Sequence, residues 1–530
     1  MSQMPELPKQ PFTSPPPLWG ELPVGPYPVG FQSFVTYDYS RRYDLPSTKP
    51  GATTTRLKGR PIAVQVWYPA QPPEDAAAMP YEAYLTVSST DDSLQSFVEQ
   101  LNRFTRKAEQ HWSGLDAADT GIFQRFLQTP TGCYLNAPPL GGSHPAVIYH
   151  QGLGGSIVDN PVLLEFLASH GIVVATSAYV PEHGLWFGVD SDLNRSIKDM
   201  ACVINALGDR YGVDTARIGV IGHSYGASAV LAYAAEAQAN VRAVVSLDST
   251  REWNPAYDHL YRNIAERLSR AERFSVPLMI FSKVTPTVTF EHYETLRHAD
   301  RYYITVQHLG HNDFVTPGPT AATLEGEKID EQDRLIRSAS QVVCQSILAF
   351  LNAYLKEDAA NSGNVVATMA SLDQDVRALE VQQRQAEGGA MALQGRSSTI
   401  AAKPLLELFL HQGAEAGCQR IAQEALRVTP AMLMQIGRAL QERGLHGEAL
   451  ALRGRSSTIA LYQSINQHFP DFAKAYEALG DLYHYTLKDK PNARTAYQAA
   501  LAALPRDVTL STPERDYLRH SLNEDIEALT

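Results

Sequence analysis

The run RIGVIGHSYGAS, residues 217–228, holds a serine between two glycines in the spacing G-x-S-x-G. β-friendly residues precede it and small ones follow, the pattern of a strand turning sharply into a helix with a hydroxyl at the tip. A serine hydroxyl is a weak nucleophile until a base takes its proton and an acid orients that base. The loop after RYYITVQ (301–307) reads HLGHNDF and offers His308 and His311. His311 lies deeper in the loop behind Gly310 and is the expected base, with His308 as a strand-end residue. For the acid, VPLMIFS (276–282) runs on with no carboxylate before Glu291, whereas VRAVVSL (241–247) ends on Asp248. Asp248 is the expected acid, against the plainer role of capping a turn, and Glu291 stands next in line.

Charge developing on a substrate carbonyl oxygen calls for N–H donors fixed in advance. The spacing assigns one to the amide of Tyr225, beside the serine, and one to Leu153 in the glycine-rich loop HQGLGGS (150–156). That loop lacks the pattern of a nucleotide-phosphate loop. The stretch EHGLWFG (182–188) places Trp186 and Phe187 after a strand, where they would line an apolar acyl pocket or pack in the core. Ser224, His311 and Asp248 together are the parts of acyl transfer through a covalent serine.

Such residues must be carried by strands that end at one rim. HPAVIYH (144–150) and GIVVATSAY (171–179) are apolar runs typical of strands buried on both faces of a parallel sheet. FVTYDYS and PIAVQVWYPA precede them as β-strands, and PVLLEFLASH and SDLNRSIKDMACVINALGDRYG carry helical periodicity. Alternating strands and helices predict an α/β fold, a mostly parallel sheet flanked by helices, with ligands bound beyond the carboxyl ends of its strands. Residues 1–25 read as a loose proline-rich lead-in and 26–358 as the α/β domain. Within it, 84–135 is a helical insertion that would pack on the sheet edge or lie over the active site as a lid. A small, polar connector (359–401) follows, and an all-α domain (402–530); no strand is expected beyond 355.

At 530 residues, 44% hydrophobic and 19% charged, the chain reads as globular and longer than one core. A formal charge of −12 with no basic run argues against a nucleic-acid partner. Cys133, Cys202, Cys344 and Cys418 are scattered, so free thiols rather than disulfides or a metal site are expected. No apolar run reaches the ~20 residues of a membrane helix, and the start lacks a signal-peptide core, which together point to a cytoplasmic protein.

The tail carries damaged repeats. AYEALGDLYHYTLKDKPNARTAYQAALAALP resembles a tetratricopeptide unit, with Tyr476, Leu479, Gly480, Tyr483, Ala493, Ala500 and Pro505 in place. A second unit, with Gly437 and Ala449 in phase, regains register and a terminal Pro470 once LRGRSSTIA (452–460) is removed; LQGRSSTIA stands at 393–401. The nine residues read as a duplicated insertion that lengthens a helix or forms a loop. A third, weaker unit would occupy about 402–430. The repeats would form a docking groove for a protein partner, or a module for stability or self-association.

GPYPVGF, VQVWYPA, QGLGGS, LASHGIVVATSAYVPEHG, VDTARIGVIGHSYGAS, VVSLDST and GHNDF, spanning about 25–355, resemble the platelet-activating-factor acetylhydrolase-like branch of the α/β hydrolases, which overlaps the dienelactone-hydrolase-like group. The resemblance implies an acid at Asp248. It also implies hydrolysis of carboxylic esters, often short or oxidised acyl chains on phospholipids, with no metal and no organic cofactor. Two departures stand out: Gln151-Gly152 replaces the family's His-Gly before the loop leucine, and the nucleophile is serine where dienelactone relatives have cysteine. Asp214 and Arg217 read as a structural ion pair. The rival reading is an inactive hydrolase-fold scaffold carrying docking repeats.

Overall fold

A computed structural model describes residues 14–41, 43–45, 55–57, 59–112, 120–181, 188–189, 192–236, 240–253, 264, 267–268, 274–316, 331–356 and 364–387. It further describes 402–423, 428, 433–434, 436–437, 440, 448–507, 510 and 512–529. Two compact units divide the chain: Met1–Thr36, Leu45–Thr54 and Ile62–Arg396 in one, and Tyr37–Asp44, Thr55–Pro61 and Ser397–Thr530 in the other.

In chain order the strands and helices begin β1 (Val29–Asp38), β2 (Tyr43–Leu45), β3 (Thr55–Leu57), β4 (Arg60–Pro69), α1 (Gln95–Trp112), α2 (Thr120–Leu127) and β5 (Cys133–Leu135). Then come β6 (His144–His150), α3 (Pro161–Ser169), β7 (Val173–Ser177), α4 (Leu193–Leu207), β8 (Val213–His223), α5 (Tyr225–Glu236) and β9 (Val241–Leu247). β10 (Leu278–Lys283), β11 (Arg301–Val306), α6 (Glu331–Leu355), α7 (Val365–Leu372) and β12 (Leu379–Arg384) follow. One sheet takes ten of these strands in the order β12-β11-β10-β9-β8-β6-β7-β4-β1-β5. The run from β7 through β6, β8, β9 and β10 to β11 is parallel throughout. β6, β7 and β9 are buried along their whole length, as apolar runs on a sheet covered from both sides must be.

Alternate residues of the central strands turn to opposite faces. Ile148, Val220, Val244 and Ile280 join Met200 and Val203 of α4 and Ala229 and Val230 of α5 in one buried cluster. On the other face a Cβ at Gly219 would stand 3.2 Å from Leu355 and Val147 and 3.3 Å from Leu351, so α6 lies hard against β8. α4 starts on Asp192, whose carboxylate accepts the Arg195 N–H at 3.1 Å and caps the free donors of its first turn.

The helices of 84–135 pack through Leu94, Phe97 and Leu101, all fully buried, and through Glu109, which accepts the Tyr81 hydroxyl proton at 2.8 Å. β5, at the end of this segment, is the outermost strand beside β1. The expectation of no strand beyond 355 is wrong: β12 pairs antiparallel with β11, Ile304 against Val381. Only Leu379 and Val381 are half-buried and the other four side chains are exposed, because an edge strand has little core to face, and LEVQQR carries no apolar run to betray it.

The second unit is helical through α8 (Ala402–His411), α9 (Ala414–Gln423), α10 (Glu448–His468), α11 (Ala473–Asp481), α12 (Lys490–Ala503) and α13 (Thr512–Glu527). Residues 452–460, the second copy of the nine-residue segment, lie inside α10, so there the insertion lengthens a helix. The copy at 393–401 lies outside the described residues. Leu461, Tyr462 and Ile465 of α10 pack with Leu405, Phe409, Ile421 and Leu433. Bare glycine faces meet aromatic rings: a Cβ on Gly417 would lie 2.5 Å from the Phe409 ring, one on Gly437 2.6 Å from Tyr462, and one on Gly480 2.4 Å from Tyr497. Among the described residues no helix is long and apolar enough to cross a membrane.

Candidate active site

β8, β9 and β10 run parallel with His223 opposite Leu247 and Leu247 opposite Phe281, so their carboxyl ends share one rim. The chain leaves β8 through a turn with almost no room. A Cβ on Gly222 would lie 2.2 Å from the backbone of Gly226, and one on Gly226 would lie 2.1 Å from the His150 carbonyl oxygen. Only glycine fits either position. Between them Ser224 has a left-handed backbone, φ +53°, and its N–H donates to the Leu247 carbonyl at 2.9 Å. The turn thereby holds the Ser224 hydroxyl above the strand ends.

Three side chains from distant parts of the chain meet there. His311 Nε2 lies 3.0 Å from Ser224 Oγ, and His311 Nδ1 lies 2.5 Å from Asp248 Oδ2. Asp248 is fully buried and a carboxylate only accepts, so the Nδ1 proton is on His311 and Nε2 presents its lone pair to the serine. That is the tautomer a base needs. Burial pushes the Asp248 carboxyl up, but hydrogen bonds from His311, the Lys283 N–H at 3.0 Å and the Trp253 indole N–H at 2.9 Å outweigh it and hold the group below its ordinary value. His308 stands exposed at the end of β11, and Glu291 lies exposed in a short turn. Neither takes the place expected for His311 or Asp248.

Of the two expected oxyanion donors, Tyr225 is the first residue of α5, where helix N–H groups have no intrahelical partner. Leu153 occupies a tight turn closed by the Gly155 N–H on the Gly152 carbonyl at 3.0 Å, and its side chain is exposed. A Cβ on Gly152 would lie 3.1 Å from Ser224 Cβ, so this loop passes directly against the serine. Gln151 has buried partners of its own. Fully buried, it donates through Nε2 to the Ser177 carbonyl at 2.8 Å and accepts the Thr176 hydroxyl at 3.3 Å, pinning the loop to β7. His150 adds a second anchor. Its Nδ1–H donates to the Gln151 carbonyl at 2.8 Å, and Nε2 takes the Ser196 hydroxyl proton at 2.9 Å. Burial lowers the His150 pKa to about 4, so the ring stays neutral.

Trp186 and Phe187 lie outside the described residues. Arg217 and Asp214 form the expected ion pair at 2.8 Å, on the strand rather than at the rim. Cys133, Cys202 and Cys344 are buried and Cys418 partly buried, and none of the four is in a disulfide. No cluster that could hold a metal occurs among the described residues.

Residues 145–301 match the sequence family described as alpha/beta hydrolase fold. The fold is that of the α/β hydrolases. The match takes in Ser224 and Asp248 and ends before His311. Among solved structures, a ferulic acid esterase from Streptomyces cinnamoneus is similar at 22% identity and a TM-score of 0.43, over 62% of this chain and 91% of that one. No curated protein matches the chain.

Sequence reasoning passed over three groups at this rim. Trp253, five residues beyond Asp248, binds its carboxylate. Glu252 is fully buried, accepts the Ser249 hydroxyl at 2.9 Å and the Tyr293 hydroxyl at 2.6 Å, and is pushed up to about 7 by burial, with the Asp248 charge adding to it. Asp159 is likewise raised to about 6 by burial, while the Tyr149 hydroxyl donates to it at 2.6 Å. Each sits in a polar stretch after a strand, where composition offers many equivalent candidates; only the folded contacts single these out.

Proposed function

We propose that this chain is a serine hydrolase of carboxylic esters. Ser224 Oγ attacks the ester carbonyl carbon as its proton passes to His311 Nε2, and the imidazolium is stabilised by ionised Asp248. The amides of Tyr225 and Leu153 hold the oxyanion. Collapse breaks the ester C–O bond, His311 gives its proton to the leaving alcohol, and water admitted to the same base releases the acyl group and restores the serine. The observation that carries this reading is the unbroken contact from Ser224 Oγ through His311 to Asp248, in the tautomer the transfer requires. The sequence motifs favour short-chain acyl esters or phospholipid acyl groups in the manner of platelet-activating-factor acetylhydrolases. On the same reading the helical tail is a tetratricopeptide-like module for a protein partner or self-association.

A fluorophosphonate probe and a series of aryl esters of graded acyl length test the proposal. Labelling and turnover should both vanish in Ser224→Ala. Folded wild-type protein that neither labels nor turns over any ester would replace the enzyme by a binding scaffold.

A further inference from the structure

His223 precedes the candidate nucleophile and takes no part in the proton transfers described above. Its ring is buried, with 5% exposure, and tilts against the His311 ring at a centroid distance of 4.8 Å. His223 Nε2 lies 2.9 Å from the main-chain carbonyl oxygen of His311. A carbonyl only accepts, so Nε2 carries the proton and donates it. The opposite edge of the ring faces the oxyanion loop: a Cβ on Gly152 would stand 3.2 Å from His223 Nδ1. Nδ1 is itself buried with no hydrogen-bond partner among the described residues, and Asp159 Oδ2, at 3.9 Å, is beyond bonding reach.

We infer that His223 is a positioning residue for the proposed reaction: by donating to the His311 carbonyl beneath the Gly152 turn, it fixes the base loop and the oxyanion loop at set distances from Ser224. The argument is geometric. Ser224 and His223 share one turn, so the ring moves with the nucleophile, and its one hydrogen bond goes to the backbone of the residue that must meet that nucleophile. A loop carrying His311 has no strand ladder to hold it at this point. Displacement of reacting groups by about 1 Å is enough to slow an enzyme on the order of 100-fold. Burial, with the neighbouring His311 next in effect, keeps the His223 pKa down to about 4. The ring therefore stays neutral and keeps the donor tautomer. Three groups face it: His311 from the loop after β11, Asp159 from the loop after β6, and Asp248 from the end of β9.

The inference rests on the proposed hydrolase reading, and the test separates the two. His223→Gln retains an N–H donor, His223→Met has similar reach with none, and His223→Phe fills the ring's space with none. Each full-length variant is assayed for kcat and KM on one aryl ester, per serine labelled to completion by a fluorophosphonate, beside Ser224→Ala. The expected result is a kcat lowered about 10- to 100-fold in Met and Phe with KM within about 3-fold, and recovery in Gln to within about 3-fold of wild type. Wild-type kcat in the Met variant, no advantage of Gln over Met, or a loss lying in KM would overturn it. Should the Phe variant not fold, the Gln–Met pair decides. Turnover persisting in Ser224→Ala would instead remove the hydrolase reading itself.

Discussion

Trp253 gives its indole N–H to Asp248 Oδ1, on the side of the carboxylate opposite the oxygen that faces His311. The Asp248 carboxylate is thus gripped at both oxygens, by an aromatic donor and by His311, the proposed base. These grips are unequal in consequence. In Asp248→Asn an amide replaces an obligate acceptor, so the imidazole loses both its tautomer and its counter-charge. kcat should fall on the order of 10⁴-fold with the fold intact. Trp253→Phe leaves the Lys283 N–H on Oδ1 and should lower kcat by only about 10-fold, a loss of roughly 1.4 kcal/mol. Steady-state kinetics with circular dichroism on both variants checks the ranking. Equal losses would mean that Trp253 does more than hold the acid.

The turn glycines separate two kinds of constraint. Gly226→Ala forces a methyl to 2.1 Å from a main-chain oxygen and should destabilise the protein by about 3 kcal/mol or more, or prevent folding. Gly154→Ala meets no atom within 4 Å and is opposed only by its φ of +73°, for a loss of about 1–2 kcal/mol. Urea denaturation of the two variants should show that order.

Gln151→Ala removes the tether between the oxyanion loop and β7 and leaves the Ser177 carbonyl only the long 3.4 Å contact from the Thr176 hydroxyl, costing about 1–2 kcal/mol of stability. The donor proposed in that loop would act on the transition state, so on the proposed mechanism kcat should fall, on the order of 10-fold, with KM little changed. A loss confined to KM would assign Gln151 to substrate binding.

Burial raises the carboxyls of Glu109, Glu165 and Glu252 to about 8, 7 and 7. A folded state that binds these protons more tightly than the unfolded chain is stabilised at low pH. It loses that advantage as pH rises from the ordinary Glu range to the raised values. His150 and His223, lowered to about 4, act oppositely, as do His144 and His170, which burial also lowers, and their effect fades within about one unit above the ordinary value of 6.5. Between pH 6.5 and 8 the carboxyls outweigh the fading histidines, so Tm should fall with rising pH, for a loss on the order of 2 kcal/mol. Glu109→Gln should flatten the fall, as read by thermal melts across that window.

Which parts of this molecule the sequence discloses follows from what each part needs. Ser224 is legible because its turn excludes side chains at fixed offsets, and Asp248 because a carboxylate ends an otherwise apolar strand. His311 is legible as a polar residue in the loop beyond the last parallel strand. The sheet is legible from β6 to β11, where burial on both faces demands unbroken apolar runs. β12 escapes because an edge strand satisfies its backbone with one neighbour and leaves its side chains in water. His223 escapes for a different reason: it stands inside the motif, yet its partner is a backbone carbonyl 88 residues away, and no side-chain identity marks that.

The left-handed backbone at residue 224 bears on the history of any chain built around this turn. A side chain there carries a strain of about 1–2 kcal/mol that glycine escapes. While turnover is selected, serine persists against that gradient. Once selection lapses, a glycine at 224 relieves that strain at the loss of the hydroxyl's bond to His311, so a descendant that has given up such chemistry would disclose the fact at this position first.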